Sequence, residues 1–263
     1  MSADQDIKFI QISDSHLLQD NRQRLIGVDT DASLRAVIDL VSIEENISGI
    51  LASGDLSQDG SMQSYQRFSE ITQTTGVPVY WIPGNHDDSK YFHDPDGFPL
   101  KKRDLIEVGN WRVLLLDSVI PGKESGLLAD SELEYIENKV INDGKHHLLV
   151  MHHQPISCGS AWLDSMILEN ADDFIRLISS KDNIRAVLYG HIHQASRQQL
   201  AGISFFSTPS TCFQFKPRTA EFTLDTRLPG YRKIILKNDG SIETDVIRIK
   251  NYHLELDPMV SGY

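Results

Sequence analysis

"IRAVLYGHIH", residues 184–193, decides how this chain is read. An apolar run stops at Gly190, and two imidazoles follow with one residue between them. A short run without polar alternation reads as a strand buried on both faces, the habit of a parallel sheet. In extended chain, residues i and i+2 point to the same side. His191 and His193 are therefore expected to aim together, either as surface decoration or as a pair of metal ligands.

The same punctuation recurs along the chain. Strands are expected at 7–13, 49–55, 77–85 and 146–155, and a hairpin at 105–118 turning at Gly109-Asn110. Helical spacing marks 31–46, capped by Asp31 or Thr30, then 61–72, 130–142 and 170–179. Ser131 and Glu134 fit a capping box. After about 197 the helical pattern stops, and turns at Ala201-Gly202 and Asp239-Gly240 suggest antiparallel strands. With no repeat, linker or low-complexity tract, residues 1–263 are expected to form one α/β domain. The segment 88–103 is expected to be a lid or insertion.

Each strand end carries polar chemistry. The first ends on Asp14 and His16, the second on Asp55, the third on Asn85, His86 and Asp87, the next on His152 and His153, and the last on His191 and His193. In α/β sheets, sites form beyond the carboxyl ends of strands. Alone, Asp-x-His reads as a turn aspartate beside a surface histidine, and Gly-Asp is common in turns. Together and in this order, coincidence is a poor account. Glycines before Asp55, Asn85 and His191 let the backbone turn tightly or approach an ion. The donors are imidazole, carboxylate and amide oxygen without thiolate, which suits Fe²⁺, Mn²⁺, Zn²⁺, Co²⁺ or Ni²⁺ better than a structural zinc site or a calcium cage. Seven donors exceed the needs of one ion and suit two, about 3.5–4 Å apart and sharing a carboxylate.

The bulk numbers agree with a soluble globular protein. The 263 residues include 25 Lys+Arg against 37 Asp+Glu, a net charge of −12. That argues against long nucleic acid, whose affinity comes from phosphate neutralisation. The basic clusters Lys101-Lys102-Arg103 and Lys216/Arg218 read as solvated loops. No apolar run approaches a bilayer span and no secretory leader is evident, so no membrane partner is expected. Cys158 and Cys212 alone suggest a reducing compartment, hence the cytoplasm.

In this order the motifs resemble those of the calcineurin-like metallophosphoesterases. Within that superfamily the chain is similar to the class III cyclic nucleotide phosphodiesterases, including the bacterial 3′,5′-cyclic AMP enzymes. "LIGVDT", "GDLSQDGS", "WIPGNHD", "LLLDS", "AWLD" and "TPSTCFQFKP" followed by "FTLDT" and "PGYR" extend the likeness across nearly the whole chain. The resemblance implies a two-sheet sandwich flanked by helices. It implies one metal on Asp14, His16, Asp55 and His193, and another on Asp55, Asn85, His152 and His191, with Asp55 bridging. His152 is preferred over His153 as the first residue past the apolar run, although Gln154 stands where many relatives carry proline or histidine. His86 would sit beside the substrate without binding metal, and His16, Asn85, His86 and His193 would contact the substrate. Asp87 could orient His86, and the role of Asp59 is open.

The implied reaction is hydrolysis of cyclic AMP to 5′-AMP by a bridging hydroxide, with Asp55 and His86 catalytic and Fe²⁺ or Mn²⁺ favoured. Two ions withdraw charge from phosphoryl oxygens and lower the pKa of water, and histidine suits protonation of the leaving oxygen. Asn85 supplies a neutral oxygen, which keeps the site electrophilic. The alternatives are a broader phosphodiesterase or phosphomonoesterase, a nucleotide-sugar pyrophosphatase, or, remotely, a metal-binding regulator without catalysis. Choice of base and monomer or homodimer state stay open. Trp162, Phe213, Phe215 and Tyr91 are aromatic candidates to hold a purine, against a simpler role in packing. His93, His146, His147 and His253 read as surface or strand-edge residues, and Met62, Met151 and Met166 as packing.

Overall fold

The computed structural model describes residues 6–88, 90–93, 98–100, 104–257, 259–260 and 262. In chain order the elements are β1 (Ile7–Ile12), α1 (Thr30–Val41), β2 (Ile47–Ser53), α2 (Met62–Gln73), β3 (Val79–Ile82), α3 (Lys90–His93), β4 (Leu105–Val108) and β5 (Trp111–Leu115). There follow α4 (Asp130–Lys139), β6 (His146–Val150), α5 (Ala161–Asp164), α6 (Ala171–Ser179), β7 (Ile184–Tyr189), β8 (Ser196–Leu200) and β9 (Ile203–Ser207). The chain closes with β10 (Gln214–Phe215), β11 (Leu224–Asp225), β12 (Gly230–Leu236) and β13 (Ile242–Arg248).

Two sheets stack. One runs β13-β12-β1-β2-β3 and the other β4-β5-β6-β7-β9-β8, with β10-β11 a separate ribbon. Alternation along the second sheet shows how it divides two cores. Val113, Leu115, Leu148, Val150, Ala186, Leu188 and Phe206 face the first sheet and join Phe9, Ile50 and Trp81. Leu114, Leu149, Val187, Tyr189 and Phe205 face the other way, onto Ile136 of α4 and Phe174 and Ile178 of α6. Each such buried side chain contributes about 1.5–3 kcal/mol of transfer free energy. The apolar runs at β6 and β7 are continuous because both faces are covered. The chain is thus a mixed α/β sandwich with flanking helices, as expected.

Cross-sheet hydrogen bonds tie the layers at the end where the site lies. Gln11 Nε2 of β1 donates to Ser53 Oγ at 2.9 Å and to the Tyr189 carbonyl of β7 at 3.1 Å. Arg232 of β12 reaches across to the carbonyls of Ser207 and Ser196 and also donates to Thr244 Oγ1. Arg232 is 4% exposed, and burial lowers its guanidinium to about 10.

Several local expectations are corrected. Asp29, one residue before the expected positions, caps α1 by accepting from Ala32 N at 2.9 Å. The capping box at Ser131/Glu134 does not form. Asn170 pins Leu128 through both its amide and carbonyl, so α4 begins at Asp130 and Ser131 is already helical. β9 is parallel to β7 rather than part of a purely antiparallel C-terminal array. His147 is fully buried, not at the surface, because its strand is covered on both faces. The expected insertion at 88–103 falls partly outside the described residues. Its described parts include α3 and the buried side chains of Phe98 and Leu100.

Candidate metal centre and active site

β1 stops at Ile12 and β7 at Tyr189, so the residues beyond them are not extended. Asp14 (φ 55°), His16 (47°), Asp55 (52°), His191 (65°) and His193 (47°) all take the left-handed backbone conformation. The i, i+2 argument from extended chain is corrected on this point. In each pair the two left-handed residues flank one that is not, Ser15 or Ile192, and these turns rather than extended chain bring both side chains inward. Asp and His tolerate this region better than most residues, yet each still costs of order 1 kcal/mol. The two loops of the first sheet zip together to hold it. Asp14 N donates to the Gly54 carbonyl and His16 N to the Asp55 carbonyl, each at 3.0 Å.

The inward side chains meet. Donor atoms of Asp14, His16 and His193 lie within 4.8 Å of one another, as do those of Asp14, Asp55 and His152, of His16, Asp55 and His86, and of His152, His153 and His191. Asn85 Oδ1 joins them 3.2 Å from His152 Nε2. All eight predicted site residues therefore converge. His153 is the member that sequence reasoning set aside. Its Nδ1 meets Ser118 Oγ at 2.8 Å, and the doubled "HH" was its only signal.

Each carboxylate divides its oxygens. Asp14 Oδ1 accepts from His191 N at 3.1 Å and Asp55 Oδ1 from His86 N at 2.9 Å. Asp14 Oδ2 and Asp55 Oδ2 are buried without a hydrogen bond, and so are both ring nitrogens of His191. Such orphaned groups cost about 1–3 kcal/mol each unless something else fills the need.

The histidines are oriented from behind. His16 Nδ1 meets Gln58 Oε1 at 2.7 Å, His152 Nδ1 the Ser53 carbonyl at 2.8 Å, and His193 Nδ1 the Phe213 carbonyl at 2.9 Å. These oxygens only accept, so Nδ1 carries a proton on all three rings, and on His16 and His193 Nε2 turns inward as a lone pair. His16 Nε2 and His193 Nε2 then face each other at 3.1 Å. Burial pushes His16 down to about 3, and His191 and His193 well below the ordinary imidazole value. His152 differs. Burial, the largest single influence, would lower it, but the charge and hydrogen bond of Asp55, the Asp14 charge and the Ser53 carbonyl together raise it to about 9. His152 Nε2 lies 3.2 Å from Asp55 Oδ2. Asp55 is the reciprocal case, where the charges of His152 and His86 overcome burial and hold the carboxyl well below its usual range. Burial raises Asp14 to about 7. Orphaned carboxylate oxygens, unprotonated Nε2 atoms and an amide oxygen in one buried cluster fit divalent cations.

Asp87 is better read as a loop clamp. Its carboxylate accepts from Leu56 N, Ser57 N and Gly84 N at 3.2, 3.0 and 2.9 Å, joining the two loops that carry Asp55 and Asn85. A Cβ on Gly84 would collide with the Asp55 carboxylate, so this position admits no side chain. Asp59 Oδ2 accepts from Gln19 N at 2.7 Å and stands outside the donor clusters.

A cavity of about 270 Å³ opens beside the cluster, with Asn85, His86 and His191 on its wall together with Trp162, Met166, Phe215 and Phe222. Of the four aromatic candidates, Trp162 and Phe215 reach it. Phe213 is buried against His16 and His193, and Tyr91 packs on Tyr65 and Phe98, so these two serve packing.

A profile of the calcineurin-like phosphoesterases matches residues 7–195. A 3′,5′-cyclic adenosine monophosphate phosphodiesterase, CpdA, of Pseudomonas aeruginosa is 39% identical over 265 residues, spanning 100% of this chain and 97% of that protein. The CpdA of Escherichia coli strain K12 is 36% identical over 263 residues, spanning 98% and 95%. Among solved structures, a dimetal phosphatase from Danio rerio superposes with a TM-score of 0.63 at 12% identity, covering 93% of this chain and 99% of that one. That last likeness speaks for the fold alone.

Proposed function

Because the chain belongs to the calcineurin-like phosphoesterase family, we propose that it is a phosphodiesterase that hydrolyses 3′,5′-cyclic AMP to 5′-AMP. The observation that carries this reading is the division of labour at Asp14 and Asp55, where one oxygen of each takes a backbone amide and the other is buried without a hydrogen bond. One cation would be held by Asp14, His16, Asp55 and His193, and a second by Asp55, Asn85, His152 and His191, with Fe²⁺ or Mn²⁺ preferred for this donor set. When bound, a pair of divalent ions neutralises phosphoryl charge and supplies an activated water.

The chain's own residues do the rest. Asp55 lies between the two donor groups and, with His86 N on its other oxygen, couples the metal site to the loop that carries the acid. His86 lines the cavity and is suited to protonate the departing ribose 3′-oxygen. Asn85 offers an oxygen without charge, which leaves the site electrophilic. His16 and His193 border the reaction zone. Both sheets contribute donors, so residues 1–263 are read as one working unit. No helix among the described residues is long and apolar enough to cross a membrane, and both cysteines are free, which suits a reducing cytoplasm.

The test is a rate panel on Mn²⁺-loaded protein: cyclic AMP, cyclic GMP, an aryl diester, an aryl monoester and a nucleotide sugar. Cyclic AMP should give the highest kcat/KM, and chelation should abolish turnover. Preference for the monoester or the nucleotide sugar would reassign the substrate, and turnover that survives both chelation and Asp55→Ala would remove the metal reading.

A further inference from the structure

We infer that Trp162 is the stacking platform for the purine base of the substrate, and that it gives the enzyme its preference for nucleotides over base-free cyclic phosphates. The inference rests on the phosphodiesterase reading and extends it to the aromatic lining of the same cavity.

Trp81 and Trp111 are 0% exposed, whereas Trp162 is only half-buried and lines the same cavity as Asn85, His86 and His191. Its indole is held in place by neighbouring rings. Phe215 and Phe222 meet it in T-shaped contacts with centroids at 4.8 and 5.4 Å and interplanar angles of 81° and 66°. Among the described residues no ring lies parallel to the indole, so the stacking geometry is left for a ligand. A side chain serving only the core would be covered, as Trp81 and Trp111 are. Met166 and Phe222 add apolar surface beside the indole. The volume of about 270 Å³ suits one nucleotide rather than a polymer. His86 and Asn85 line the same cavity as Trp162, so a phosphate held by the first two leaves the rest of one nucleotide within that cavity. Phe215 also stacks on His193 at 4.3 Å and 23°, so the platform and the donor cluster share a rigid support.

Two substrates separate the base from the reaction: cyclic AMP and abasic ribose 3′,5′-cyclic phosphate. The wild-type enzyme should favour cyclic AMP through a lower KM. Trp162→Ala should cut the ratio of the two kcat/KM values roughly tenfold or more, since a base–aromatic stack is lost. Trp162→Phe, which keeps a ring, should retain most of the preference and controls for local collapse. Adenosine alone, added to metal-free protein, should quench the indole emission of wild type and not that of Trp162→Phe, because the other tryptophans are inaccessible. An unchanged ratio in Trp162→Ala, or a wild type indifferent to the base, overturns the platform while leaving the phosphodiesterase reading intact. Absence of hydrolysis with adenosine quenching preserved overturns that reading while the platform stands. Absence of quenching in wild type overturns the platform.

Discussion

At the scale of single residues, the centre is a set of groups kept in states they would not choose alone. Asp14, raised to about 7 by burial, and His152, raised to about 9 because Asp55, Asp14 and the Ser53 carbonyl together overcome burial, both hold protons near pH 6. Those protons must leave before the groups can bind a cation. His16, His191 and His193 are lowered, hence already neutral, and release nothing. Mn²⁺ affinity should therefore rise with pH from 6 through 9 and then level, with proton release measurable by calorimetry in buffers of different ionisation enthalpy. Affinity flat across that range would contradict the pKa assignments. Asn85→Ala should reduce bound metal from two ions per chain towards one, read by elemental analysis. His86→Ala should lower kcat by about 10²–10⁴-fold while both ions stay bound, if its role is proton transfer.

Elements matter because strand ends aim these groups. Gly84→Ala would push a Cβ into the Asp55 carboxylate, so it should lose metal as well as activity although no ligand has been changed. Retained metal content would show that the loop after β3 can shift. This scale also shows what the sequence made legible. Apolar runs marked β1, β2, β6 and β7 because both faces of those strands are covered, and the polar residues just past them stood out by contrast. The backbone state of those residues was not legible. Extended alternation predicted the right partners for Asp14/His16 and His191/His193 for the wrong reason, since left-handed residues turn them. Cap positions failed for a related cause. Asn170, some forty residues away, fixes where α4 starts, and no local pattern near Ser131 records that contact.

For the whole molecule, the site lies where two sheets meet, so sandwich integrity and metal binding are linked. Arg232 joins the sheets by hydrogen bonds to the carbonyls of Ser207 and Ser196 and a contact 5.3 Å from the Phe206 ring. Replacing it by Met should destabilise the protein by about 2–4 kcal/mol, since charged hydrogen bonds across a buried boundary are lost. A urea midpoint within error of wild type would contradict the clamp. His153, in the loop after β6, shows what sequence order conceals, since its path depends on distant packing. The central claim is that two cations share Asp55. Anomalous scattering from Mn²⁺-loaded crystals tests it most directly. The account predicts two peaks about 3.5–4 Å apart with the Asp55 carboxylate between them; a single peak, or peaks away from Asp14, Asp55 and His152, would contradict it.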